Sequence, residues 1–88
     1  MLLLPFGVFA QSTVEGTVVD KVSNQPIPGV NVVIQGAANG TQTDFDGKFK
    51  LSKVKKGDKI VFSYVGYKNS VITYDSQNNI NIGLEEES

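Results

Sequence analysis

The residues best placed for chemistry in this 88-residue chain are two aspartates two positions apart, Asp44 and Asp46, followed directly by Gly47. They match positions 3, 5 and 6 of an EF-hand calcium loop, where closely spaced carboxylates and a glycine at the sharp turn wrap a hard cation. The rest of that pattern fails, because position 1 falls on Gln42 and position 12 on Lys53, a cation where a bidentate carboxylate is required. Asp46-Gly47, set between Thr43-Asp44-Phe45 and Lys48-Phe49, reads instead as the two-residue loop of a type I′ hairpin, whose central residues both take positive φ. No metal is expected there.

Two further groups invite a chemical reading. Lys53, Lys55, Lys56 and Lys59 fall within residues 53–59 and could form an anion patch, but around the turn Gly57-Asp58 they read as a solvated connection. Tyr64 and Tyr67 could form an aromatic platform for sugars; the plainer reading is core packing with hydrogen-bonded hydroxyls. Catalysis has little to work with. The chain has no His and no Cys, so the usual zinc ligands and the side chain best suited to proton transfer near neutral pH are missing. Ser, Lys, Asp and Glu form no nucleophile or acid/base arrangement, so no catalytic residue, no cofactor and no bound small-molecule substrate is expected. Eight basic and nine acidic residues are interspersed, which leaves no basic field for phosphates and excludes nucleic acid as a partner.

The elements that carry these residues alternate with period two, as strands with one buried face do. Val14, Gly16 and Val18 predict a strand over 13–20. Residues 21–29 gather Ser, Asn, Gln, Pro26, Pro28 and Gly29; the prolines fix φ and remove two amide donors, so the chain must reverse there. Val30, Val32 and Ile34 give a strand over 30–35 with an apolar inner side. Thr41 to Asp44 reads as a short polar strand at a sheet edge, and Lys48 to Leu51 as the strand on the other side of the Asp46-Gly47 turn. Ile60, Phe62 and Tyr64 mark the most hydrophobic strand, predicted to be internal, and Gly66 interrupts it as a bulge, bend or close approach. Residues 71–74 form a strand whose inner pair is either Val71 and Thr73 or Ile72 and Tyr74. Ile80, Ile82 and Leu84 close the set. With no helical period anywhere, these residues predict a seven-stranded antiparallel β-sandwich of prealbumin-like or Ig-like type.

The first residues differ. Residues 1–10 are apolar, too short to span a bilayer and broken by Pro5 and Gly7, and they end in Val8-Phe9-Ala10, which resembles a signal-peptide core and cleavage site. No Lys or Arg precedes them, and a buried N-terminal strand or a disordered stub is the alternative. The expected organisation is a signal-peptide-like segment at 1–10, the sandwich at 11–84 and an acidic tail at 85–88.

Three segments in order, Pro26-Ile27-Pro28-Gly29-Val30, Thr43-Asp44-Phe45-Asp46-Gly47-Lys48-Phe49 and Phe62-Ser63-Tyr64-Val65-Gly66-Tyr67, together with Val19-Asp20 and Gly40-Thr41, resemble one known family. It is the carboxypeptidase regulatory-like, or transthyretin-like, domain ahead of the plug in TonB-dependent outer-membrane transporters of the SusC/RagA type. The resemblance covers residues 13–84 and implies a non-catalytic periplasmic N-terminal domain of a glycan or peptide importer. The partner it implies is the plug or barrel of a parent transporter, or another periplasmic protein. The motif residues it singles out are Pro26, Pro28, Gly29, Asp44, Asp46, Gly47, Phe49, Gly66 and Tyr67, in a structural role. An independent secreted binding or adhesion module is the alternative.

Overall fold

A computed structural model of the protein describes residues 11–87, so the signal-peptide-like segment at 1–10 lies outside the described residues. The regular elements are seven strands: β1 (Ser12–Asp20), β2 (Asn31–Ile34), β3 (Gly40–Gln42), β4 (Lys48–Val54), β5 (Lys59–Ser63), β6 (Ser70–Thr73) and β7 (Asn79–Leu84). They form two layers, a three-stranded sheet in the order β4-β1-β7 and a four-stranded sheet in the order β3-β2-β5-β6. The inner faces are the apolar sets of the alternating pattern. Val14, Val18, Leu51, Val54, Ile80 and Leu84 from the first sheet meet Val32, Ile34, Ile60 and Phe62 from the second, all buried. Phe49 joins the layers edge-to-face with Phe62, ring centroids 5.5 Å apart. Its ring lies over Gly16, where any Cβ would also overlap the carbonyl oxygen of Ile80, so the glycine in β1 is a packing requirement.

Several expectations are met and several are corrected. β5 is internal, between β2 and β6, with Ile60 and Phe62 fully buried. The ambiguous strand resolves in favour of Ile72 and Tyr74 as the inward pair, because Val71 and Thr73 are exposed. The antiparallel expectation holds for four strand pairs, but β1 and β7 are parallel, in register from Glu15 opposite Asn79 to Asp20 opposite Leu84. β7 arrives from the other sheet and β1 is not its sequence neighbour, so no hairpin dictates its direction.

The hairpin at Asp46-Gly47 is also corrected. β3 and β4 belong to different sheets, and the chain changes layer between them. The Gly47 N–H donates to the Asp44 carbonyl at 2.9 Å and the Asp44 N–H to the Lys48 carbonyl at 2.9 Å, which closes a three-residue loop over Phe45, Asp46 and Gly47. Gly47 alone of these has positive φ, 74°. This is the turn-plus-bulge geometry of a three-residue loop, and a corner between two twisted sheets needs its bend where a flat hairpin does not. Pairing also runs past Leu84: Lys68 N–H donates to the Glu85 carbonyl at 2.8 Å and Glu87 N–H to the Gly66 carbonyl at 2.9 Å, so residues 85–87 are tied to the domain.

Candidate functional site

The three sequence motifs are far apart in the chain and meet at one end of the sandwich. Strand direction requires it, because β1 and β7 finish there while β2 and β4 begin there. The knot is Thr43. Its hydroxyl donates to the Ile27 carbonyl at 2.6 Å and accepts from the Val30 N–H at 2.9 Å, so it sits inside the Ile27-Pro28-Gly29-Val30 turn in place of the direct bond across it. Its backbone completes the clasp, accepting from the Gly29 N–H and donating to the Val30 carbonyl, each at 3.0 Å. Thr43 is 5% exposed, a buried polar side chain with both hydrogen-bonding capacities used.

Gly47 locks the second motif against the first. Its carbonyl accepts from the Val18 N–H at 2.7 Å, and the Ile27 N–H donates to the Val18 carbonyl at 3.1 Å. A Cβ on Gly47 would lie 2.5 Å from that Val18 oxygen and 3.0 Å from Cβ of Pro26. Only glycine fits, on conformation and on space. Pro26 bridges to Val19, Pro28 is exposed in the turn, and Gly29 has φ 83° with the Tyr64 ring beside it.

The two aspartates of the calcium reading have local duties. Asp44 Oδ1 accepts from the N–H groups of Asp46 and Lys48, both at 2.9 Å, so one carboxylate oxygen caps the loop. The Asp46 side chain is exposed. Among the described residues no group of three or more His, Cys, Asp or Glu is gathered as metal ligands would be.

The third motif attaches through Tyr67, whose hydroxyl donates to Asp20 Oδ2 at 2.7 Å. Asp20 Oδ1 accepts from the N–H groups of Val22 and Ser23, at 2.8 and 2.9 Å. The Ser23 amide, the Tyr67 hydroxyl and the Val22 amide together hold the Asp20 carboxyl below its ordinary value. That carboxylate in turn pushes the Tyr67 hydroxyl up to about 12. Gly66, with φ 86°, is the third residue of a turn closed by Tyr67 N–H to Tyr64 carbonyl at 3.1 Å, and open space surrounds it. Of the readings offered for Gly66, the structure shows the bend. The rings of Tyr64 and Tyr67 pack at 6.1 Å and 44°.

The structure thus brings Pro26, Gly29, Asp44, Gly47, Gly66 and Tyr67 into one connected end, with Phe49 beneath it in the core. Two residues that sequence reasoning left off the site are Thr43 and Asp20. Both lay inside recognised segments, but their partners are 13, 16 and 47 residues away, beyond any local pattern. The polar groups hold loops in place.

Comparison with known proteins agrees with this geometry. The sequence profile of the CarboxypepD_reg-like domain matches residues 14–88. A TonB-dependent receptor of Formosa agariphila is 39% identical over 93 residues, covering 99% of this chain and 9% of that receptor. The TonB-dependent receptor SusC of Bacteroides thetaiotaomicron is 44% identical over 80 residues, covering 90% of this chain and 8% of SusC. The chain therefore spans less than a tenth of the length of these relatives. Among solved structures, a chain of a cohesin–X-dockerin complex from Acetivibrio cellulolyticus superposes with a TM-score of 0.61 at 22% identity, over 81% of this chain and 52% of that one, a likeness of fold alone. On its three motifs and on a profile match across almost all of the sandwich, the chain belongs to the CarboxypepD_reg-like domain family, in the form found in TonB-dependent receptors.

Proposed function

We propose that the protein acts as the N-terminal, periplasmic accessory domain of a SusC/RagA-type TonB-dependent outer-membrane transporter that imports glycans or peptides, and that it works by surface contact without turnover. The observation that carries this reading is the use of the motif residues. Thr43, Asp44, Gly47, Tyr67 and Asp20 are spent on joining loops at one end, which supports a scaffold role. The same end presents three large apolar side chains to solvent, Val22, Phe45 and Val65, at 92%, 91% and 85% exposure. Exposed apolar tips clustered at one end of the sandwich favour packing against a neighbouring body. In a receptor that carries this domain, deletion of the segment aligned with residues 13–84 should impair receptor assembly or substrate uptake. Wild-type levels of both would refute the proposal.

A further inference from the structure

β7 pairs with β1 on one side only. The Asn78 carbonyl accepts from Glu15 N–H and the Leu84 carbonyl from Lys21 N–H, so the even-numbered peptide groups face β1. Peptide groups alternate in direction along a strand, so those of residues 79, 81, 83, 85 and 87 face the other way. The last two are satisfied by Lys68 and Gly66, in an antiparallel bridge centred on Tyr67 and Glu86. At Asn69 the chain leaves for β6 in the opposite sheet. Among the described residues nothing continues this ladder along Gly83, Asn81 and Asn79, all three exposed. The edge also lacks the usual protection. β4, the other edge of this sheet, carries Lys48, Lys50 and Lys53, whereas β7 has no charge and no proline. Ile82 of β7 and Ile72 of β6 are only partly covered, on the side of the sandwich where these two strands are its edges.

We propose that this edge is a docking site for one added antiparallel strand, contributed by an extended segment of another polypeptide. The segment would span about five residues, enter opposite Gly83 and run toward Asn79, continuing the direction of residues 66–68. Its inward side chains would be aliphatic, covering Ile82. A carboxylate at its N-terminal end would suit Lys21, which lines the hollow of about 230 Å³ beside Gly83 together with Lys68 and Glu85, themselves paired at 3.8 Å. A second copy of this chain fits poorly, because a ladder this short buries much less than the roughly 800 Å² per partner of a stable interface. A segment tethered in a larger assembly gains from effective concentration instead. The site deepens the contact role proposed above, and its test reads the chain alone, so a receptor deletion without effect would not bear on it.

The test titrates the full chain, isotope-labelled, with the capped peptide Glu-Val-Thr-Val-Thr-Val and follows amide shifts and exchange. Exchange at Asn79, Asn81 and Gly83 should be fast without peptide and slow at least threefold at saturation. A peptide beginning with Lys should bind at least threefold more weakly, and Asn81→Pro, which removes an edge N–H, should abolish the effect. Three outcomes overturn the proposal: no response, a response centred elsewhere, or protection already present without peptide. The last would mean that the chain's own N-terminal residues or a second copy fills the edge.

Discussion

Replacing Thr43 by valine tests whether a single hydroxyl holds the motif end together. Valine is close to isosteric and favours strands as threonine does, so volume and propensity barely change. What changes is the Ile27-Pro28-Gly29-Val30 turn, which loses a donor to the Ile27 carbonyl and an acceptor for the Val30 N–H in a place 5% exposed. A buried polar group left unpaired costs about 1–3 kcal/mol, so two of them should cost about 2–4 kcal/mol even if water repairs one in part. A domain of this size has about 5 kcal/mol of stability in total. At about 4–8 °C per kcal/mol, the melting temperature should fall by at least about 8 °C. Thr43→Ser keeps the hydroxyl and loses one buried methyl, at about 1 kcal/mol. Urea unfolding of the three proteins, followed by circular dichroism, separates the cases. If Thr43→Val is as stable as the wild type, or if serine is as damaging as valine, the hydroxyl is not the clasp.

The other predictions follow from the same end of the molecule and from the surface. Gly47→Val should cost at least about 2 kcal/mol, since a conformational penalty near 1 kcal/mol adds to overpacking against the Val18 carbonyl. Gly66→Ala, at a positive φ of 86° but in open space, should cost only about 1 kcal/mol, and equal losses at both sites in denaturant melts would contradict the packing argument. The Tyr67 hydroxyl is raised from 10.0 to about 12, so its share of stability is present below pH 10 and is lost as pH rises through 12. Asp20 is lowered, so its share is present above its ordinary 3.8 and is lost as pH falls below it. Tyr67→Phe should remove that component of the alkaline loss, seen as a flatter melting temperature against pH than in the wild type. The Lys56–Asp75 pair, 3.7 Å apart with both side chains about three-quarters exposed, should contribute little, and Lys56→Ala should change stability by less than about 0.5 kcal/mol in the same melts.

Most of the sandwich was legible because burial on one face writes a period of two into the chain. Val14, Val18, Val32, Ile34, Ile60, Phe62, Ile80 and Leu84 are inward as the alternation predicts. Direction and layer were harder to read. Nothing local in residues 79–84 says that the strand runs parallel to β1, and Asp46-Gly47 carries the same letters whether it closes a hairpin or turns a corner between sheets. The strand expected at 41–44 ends at Gln42 because Thr43 gives its backbone and hydroxyl to a turn 13 to 16 residues earlier. Thr43 and Asp20 share this limit, since their importance lies in partners that only the folded chain brings near.

The parallel pairing of the first and last strands governs how the domain meets a pull. β1 is entered at one end of the sandwich and β7 is left at the other, so tension between the two termini drags neighbouring strands past each other along their length. Every bond from Glu15 to Asp20 then shares the load at once, where a hairpin would peel one bond at a time. Single-molecule extension should show this as a tall first rupture peak, and a low, gradual release would mean that the shear geometry does not bear the force.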